Sequence, residues 1–218
     1  MKKLLQRISV FILIFVLFSN SMDVFAEEKS LFEEIVMEAA KYEDTMQVIS
    51  ENGADITGEF ITIYINQGAD IAKEYLAKNN GYITYQKIED SSGIALWSMT
   101  RSKSVTQTFY HIKTSTKGGF TKEWLTKMTG SFSYDLATDE IISASSPTLS
   151  LEVADFGAAF SPYINSVRTS ASINKTTNKV TYTGSYHMYA TLGVSIGDLP
   201  LGLNLDFGSH TETMTGSL

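Results

Sequence analysis

The chain has no cysteine, only 3 prolines and only 3 histidines among its 218 residues. Without cysteine there are no disulfides, no thiolate metal ligands, no thiol nucleophile and no lipid-modified cysteine to tether the product. The histidines, His111, His187 and His210, have no partner at i+2 or i+4, so no local metal-ligand spacing exists. A zinc site would need them to converge in the fold with a carboxylate such as Asp206. There is no P-loop, no dinucleotide fingerprint and no Gly-x-Ser-x-Gly elbow. The reading is of a chain without a cofactor, a metal or an assigned catalytic residue.

Basic residues are also scarce, 17 against 24 acidic, for a net charge of −7. Phosphate neutralisation needs clustered Lys and Arg, so nucleic acid is not an expected partner. Anionic lipid is disfavoured for the same reason. Ser and Thr together number 48 of 218 residues, beside 11 Tyr and 12 Phe. That balance favours strands with one wet face over helices.

The N-terminus carries an address. Lys2, Lys3 and Arg7 form a positive segment, residues 8–18 are apolar apart from Ser9, and Val24-Phe25-Ala26 puts small residues at −3 and −1 of a cleavage site. The apolar run is short of the roughly 20 residues that span a bilayer. The expectation is a signal peptide at 1–26 cleaved after Ala26 and a secreted product without an integral span, in the style of Gram-positive export. Losing Lys2, Lys3, Arg7 and Asp23 takes the charge to −9, from 14 basic and 23 acidic residues. An uncleaved N-terminal anchor is the alternative.

Two zones follow, a mixed helical segment at 27–80 and a β domain at 81–218. Ser30 and Glu33 form a capping box, and Leu31, Ile35, Ala39, Tyr42, Met46 and Ile49 recur at helical spacing, predicting a helix over 31–51. Residues 59–65 read as a strand and 69–78 as a helix; the rival reading is one helix across 57–79, interrupted only by Gly68. From Gly81 the texture has period 2. Strands are expected at 82–88, 94–102, 105–114, 141–153, 164–173, 179–192 and 199–213, with Trp97 and Phe109 as core anchors. Residues 121–135 read as one long strand or as a short helix and a strand. The fold class is mainly β, within α+β: an antiparallel sandwich or open barrel of about seven strands preceded by a small helical segment.

Two pairs of segments echo each other. Asp135-Leu-Ala-Thr138-Asp139 resembles Asn174-Lys-Thr-Thr177-Asn178, and both suit Asx turns. Thr129-Gly-Ser-Phe132 leads to Asp155-Phe-Gly157 as Thr183-Gly-Ser-Tyr186 leads to Asp206-Phe-Gly208. Either a duplicated hairpin unit or reuse of one turn chemistry accounts for this.

The functional candidates are aromatic. Tyr182, Tyr186 and Tyr189 share a strand, and Phe156 and Tyr163 lie in a Gly/Ala/Pro-bearing stretch. Exposed rings among hydroxyls make a carbohydrate- or peptide-binding surface; the same rings turned inward would be core. Glu152 and Asp155 are the carboxylate pair to examine for glycoside hydrolysis. Three functions follow in order: a secreted non-enzymatic extracellular or cell-envelope binding protein with a carbohydrate, peptide or envelope partner, a hydrolase with a spatially assembled site, and a membrane-active protein inserting a Ser/Thr-rich β-hairpin.

Overall fold

A computed structural model describes residues 30–91, 99–116, 119–157, 159–196 and 199–218. The expected signal peptide at 1–26, and Ile94 and Trp97 in one expected strand, lie outside the described residues. The chain divides into two compact units, one ending at Tyr85 and one running from Gln86 to Leu218.

In the first unit, Ser30 caps helix α1, Leu31–Ala40: its hydroxyl accepts from Glu33 N at 3.3 Å, and the Glu33 carboxylate accepts from Ser30 N at 3.1 Å. Phe32, Ile35, Val36 and Ala39 form its buried stripe. The helix ends well short of the expected residue 51. Val48 and Ile49 join strand β1, Gln47–Ile49, which pairs antiparallel with β2, Tyr82–Ser91, through Val48↔Ile83. Both residues of that pair are fully buried, so long-range pairing of β-branched side chains overrides the helical period. The expected strand at 59–65 is instead helix α2, Thr57–Gln67. Phe60, Ile61 and Tyr64 face inward from it, and Phe32 meets Phe60 and Tyr64 at ring separations of 6.1 and 6.3 Å. Gly68, at φ 90°, divides α2 from α3, Ala69–Lys78. The break between the two helices falls at the residue flagged as the interruption, because glycine accepts positive φ without strain.

The second unit holds two antiparallel sheets. In one, β3 (Thr100–Thr114) pairs with β4 (Thr121–Asp135) from Thr100↔Asp135 to Thr114↔Thr121. The other edge of β4 carries β5 (Ile141–Ala144) and then β6 (Thr148–Asp155), two strands where one was expected. Pro147, which has no N–H to give a ladder, falls at the break. The other sheet is the meander β7 (Phe160–Asn174), β8 (Lys179–Ile196) and β9 (Leu199–Ser217). Residues 103–104, expected to link two strands, are the interior of β3, and 121–135 is one strand throughout. The architecture is sandwich-like, mainly β, with three short helices among the described residues.

Alternation sorts the side chains. Trp124, Thr126, Met128 and Phe132 of β4 are buried, as are Val180, Tyr182, Tyr186, Met188 and Ala190 of β8. The sheets meet through glycine. A Cβ on Gly130 would fall 2.6 Å from the Tyr182 ring, one on Gly184 3.0 Å from Met128 Cε, and one on Gly216 2.9 Å from the Phe132 ring. The Thr-Gly-Ser echo therefore lies in mid-strand, where each glycine leaves room for the other sheet. The Phe156 and Phe207 rings of the Asp-Phe-Gly echo touch at 5.2 Å. Both predicted turns are Asx turns, with Asp135 Oδ1 accepting from Ala137 and Thr138 and Asn174 Oδ1 from Thr176 and Thr177. They dock on each other: Asn178 donates to Asp139 O at 2.5 Å and accepts from Ile141 N at 2.8 Å.

Candidate functional site

The chemistry of the second unit is sorted by one irregularity. In β9 the register runs Met188↔Gly208 and then Tyr189↔Asp206, so Phe207 is an extra residue, and Gly208 takes φ 89°. A bulge changes which parity faces inward. Leu205 and Phe207 are buried before it, Glu212 and Met214 after it. Without the bulge Glu212 and His210 would face solvent.

On the inner face Glu212 is 1% exposed. Its Oε1 accepts from Thr126 Oγ1 at 2.5 Å and Tyr186 OH at 2.9 Å and lies 2.8 Å from His111 Nε2. Its Oε2 is buried without a hydrogen-bond partner. Trp124 Nε1 donates to Tyr186 OH at 3.2 Å. The His111 ring stacks on Trp124 at 5.2 Å, its cross-strand partner in the β3–β4 register. His210 stacks on Tyr186 at 5.2 Å and meets His111 at 5.1 Å, with Nε2 3.2 Å from Phe207 O. Burial, with the charges of His111 and Lys113, holds the His210 imidazole down at about 3. Burial and the Glu212 charge push the Tyr186 phenol well above its ordinary value. This cluster joins the two sheets; Glu212, His111, Trp124, Thr126 and Tyr186 are buried in it and His210 is half-buried.

The outer face has a second histidine cluster. His187 Nε2 lies 2.6 Å from Asp206 Oδ1, and its Nδ1 lies 3.0 Å from Ser209 Oγ, its register partner. Asp206 Oδ1 also accepts from Gly208 N at 2.8 Å, so the bulge orients this carboxylate. His187 stacks on Tyr189 at 4.2 Å, and Tyr189 stacks on Tyr163 at 5.6 Å. Tyr163 is 39% exposed on the edge strand β7. Asn165, the register partner of His187, is exposed beside it, and Thr211, Thr213 and Thr215 of β9 continue the face as exposed hydroxyls.

The expected site residues therefore divide. Tyr163 and Tyr189 stand on the outer face. Tyr182, Tyr186 and Phe156, offered as an exposed binding surface, are instead core residues, at 0%, 2% and 1% exposure. Parity explains the two tyrosines: even positions of β8 face the other sheet. The three histidines do not converge, since His111 and His210 meet inside and His187 stays outside. Among the described residues no group of three or more His, Asp or Glu is arranged to hold a metal ion. Glu152 is bonded to Ser150, while Asp155 lies opposite Glu123, which accepts from Tyr110 OH. A concavity of about 450 Å³ in the first unit is lined by residues that include Ser50, Glu59 and Tyr75, and one of about 370 Å³ in the second unit by residues that include Asp135, Glu140 and Lys175; neither lining includes a histidine. Among the described residues no helix is long and apolar enough to cross a membrane.

Sequence reasoning missed Glu212 and Ser209. Glu212 had a signal: it lies in phase with Met214 and Gly216 and out of phase with Thr211, Thr213 and Thr215. An acid in phase with an apolar face is an acid to be buried. Comparison with protein-family models, with characterised proteins and with solved structures finds no match to this chain.

Proposed function

We propose that the protein is exported after cleavage behind Ala26 and acts, without catalysis, as an extracellular binding protein for a neutral carbohydrate of the cell surface or its surroundings. The observation that supports it is the row His187, Tyr189 and Tyr163 on the outer face of the β7–β8–β9 sheet. Apolar ring faces carry affinity for sugar rings, and the flanking Asp206, Asn165 and Thr hydroxyls supply orienting hydrogen bonds. The net charge of −7 disfavours polyanionic ligands. The test is co-sedimentation of the secreted chain with neutral envelope polysaccharides. Tyr163→Ala with Tyr189→Ala should weaken binding at least tenfold and leave the core intact. Equal binding by that variant, or no binding by the parent, removes the reading.

A second reading rests on the Ser209–His187–Asp206 contacts, the residue types of a serine hydrolase relay. It ranks below the first because the nearby Gly208 N–H is spent on Asp206 rather than free for an oxyanion. A fluorophosphonate probe decides it: attachment at Ser209, lost in Ser209→Ala, would put hydrolysis first.

A further inference from the structure

We propose that the Glu212–His111–His210 cluster is an acid-released latch between the two sheets, independent of any ligand on the outer face. Glu212 reaches from β9 to His111 on β3 and Thr126 on β4, so one carboxylate oxygen joins strands of both sheets. The contact has no reserve: Oε1 carries three partners and Oε2 none. A buried polar atom without a partner is stable only while its surroundings stay closed.

His210 makes the contact sensitive to acid. From β3 it is faced by His111 and Lys113, from β4 by Trp124, which does not titrate, and from β8 by Tyr186 and, at longer range, His187; Glu212 lies two residues along β9 on the same inward parity. Its Nε2 bond goes to the Phe207 carbonyl, not to a carboxylate. A proton on this ring would set a cation beside another imidazole and a lysine. The closed fold keeps it neutral down to about 3, whereas a released imidazole protonates near 6.5. Between those values the open form binds one more proton, so each unit of falling pH favours opening by up to about tenfold. By pH 4.5 the open form gains about a hundredfold from this ring alone.

The strand ladders are held by backbone N–H and C=O groups, which do not titrate. The β8–β9 register runs from Lys179↔Ser217 to Ile196↔Leu199 on backbone bonds that acid leaves alone. Mild acid therefore parts the sheets at their side-chain contacts first, uncovering Trp124, Phe156, Tyr186, Met188 and Phe207.

The test follows near-ultraviolet and far-ultraviolet circular dichroism and dye binding of the purified chain from pH 7.5 to 3.5. Loss of the near-ultraviolet signal with dye uptake between pH 6 and 4, at constant far-ultraviolet signal, is expected. His210→Gln should lower that midpoint by at least one pH unit. Coincident loss of both signals, or an unmoved midpoint in the variant, overturns the latch. Should His210→Gln not fold, imidazole titration by NMR decides: a His210 ring that stays neutral until the near-ultraviolet signal is lost supports the proposal, and titration near 6.5 in the closed fold refutes it.

Discussion

The two faces of the β7–β8–β9 sheet are built from one vocabulary, a histidine, an acid, a hydroxyl and stacked rings, yet they differ in what surrounds them. Inside, His111 and Glu212 sit at 5% and 1% exposure under Trp124. Outside, His187 and Asp206 make a shorter contact, 2.6 against 2.8 Å, within reach of water. Distance alone would rank the outer pair stronger. The medium reverses that order, because breaking a buried pair strands a desolvated charge while an exposed partner is rehydrated. The same residue types therefore serve cohesion on one face and leave the other available for a ligand.

The sharpest way to break this comparison is to remove one acid from each face. Glu212→Ala should cost about 3–5 kcal/mol, the range for a broken buried pair. Asp206→Ala should cost about 1 kcal/mol or less, as exposed pairs do. Urea denaturation of both variants measures the difference. Equal costs would mean that the inner cluster is hydrated and that the two faces are alike.

The next effect concerns how the inner face closes. Gly130→Ala drives a methyl to within 2.6–2.8 Å of three Tyr182 ring atoms. Overpacking of that kind costs about 1–3 kcal/mol, read as a lower denaturation midpoint. Gly208→Ala meets only Lys113 Nζ, at 3.9 Å, so its cost is the backbone strain of φ 89°, about 1–2 kcal/mol. Because Gly208 is the bulge that sets inward and outward parity, that variant should also weaken the Asp206 contact to His187. A downfield imidazole signal of His187 that is unchanged in Gly208→Ala would show that the bulge does not orient the outer cluster.

Legibility followed locality. The capping box at Ser30, the helix at Ala69–Lys78, the Asx turns at Asp135 and Asn174 and the long alternations of β7, β8 and β9 are set by neighbours in sequence, and each was readable there. Residues 57–67 misled because Ile, Thr and Tyr suit strands, while the burial of Phe60, Ile61 and Tyr64 on one side requires a helix. Of the sites, the outward Tyr163 and Tyr189 were named but could not be separated from the inward Tyr182 and Tyr186. Parity relative to a second sheet is not a local property. The meeting of His111 with Glu212 across 101 residues and the parity change at Phe207 lie wholly in the tertiary pairing.

The smallest expected effect is a gain. Tyr182 OH is buried without a hydrogen-bond partner, on the same inner face where Tyr186 OH is bonded to Glu212 and Trp124. Burial pushes the Tyr182 phenol up to about 12. A phenol raised above its unfolded value of about 10 by burial leaves stability unchanged below pH 10 and lowers it as the pH climbs from 10 toward 12, where the unfolded chain ionises first. Tyr182→Phe keeps the ring on Gly130 and deletes only the unpaired hydroxyl, so it should be neutral or stabilise by about 1 kcal/mol at pH 7. It should also flatten the loss of stability between pH 10 and 12. Tyr186→Phe, which takes a donor from Glu212, should destabilise by about 1.5–3 kcal/mol, as loss of a hydrogen bond to a charged group does. Opposite signs for one atom removed at two positions of the same strand would mean that the cohesion of this face lies in the pairing of its polar atoms and not in their number. A matching loss from both would mean that Tyr182 OH has a partner, and the inner face would then be polar along its whole length.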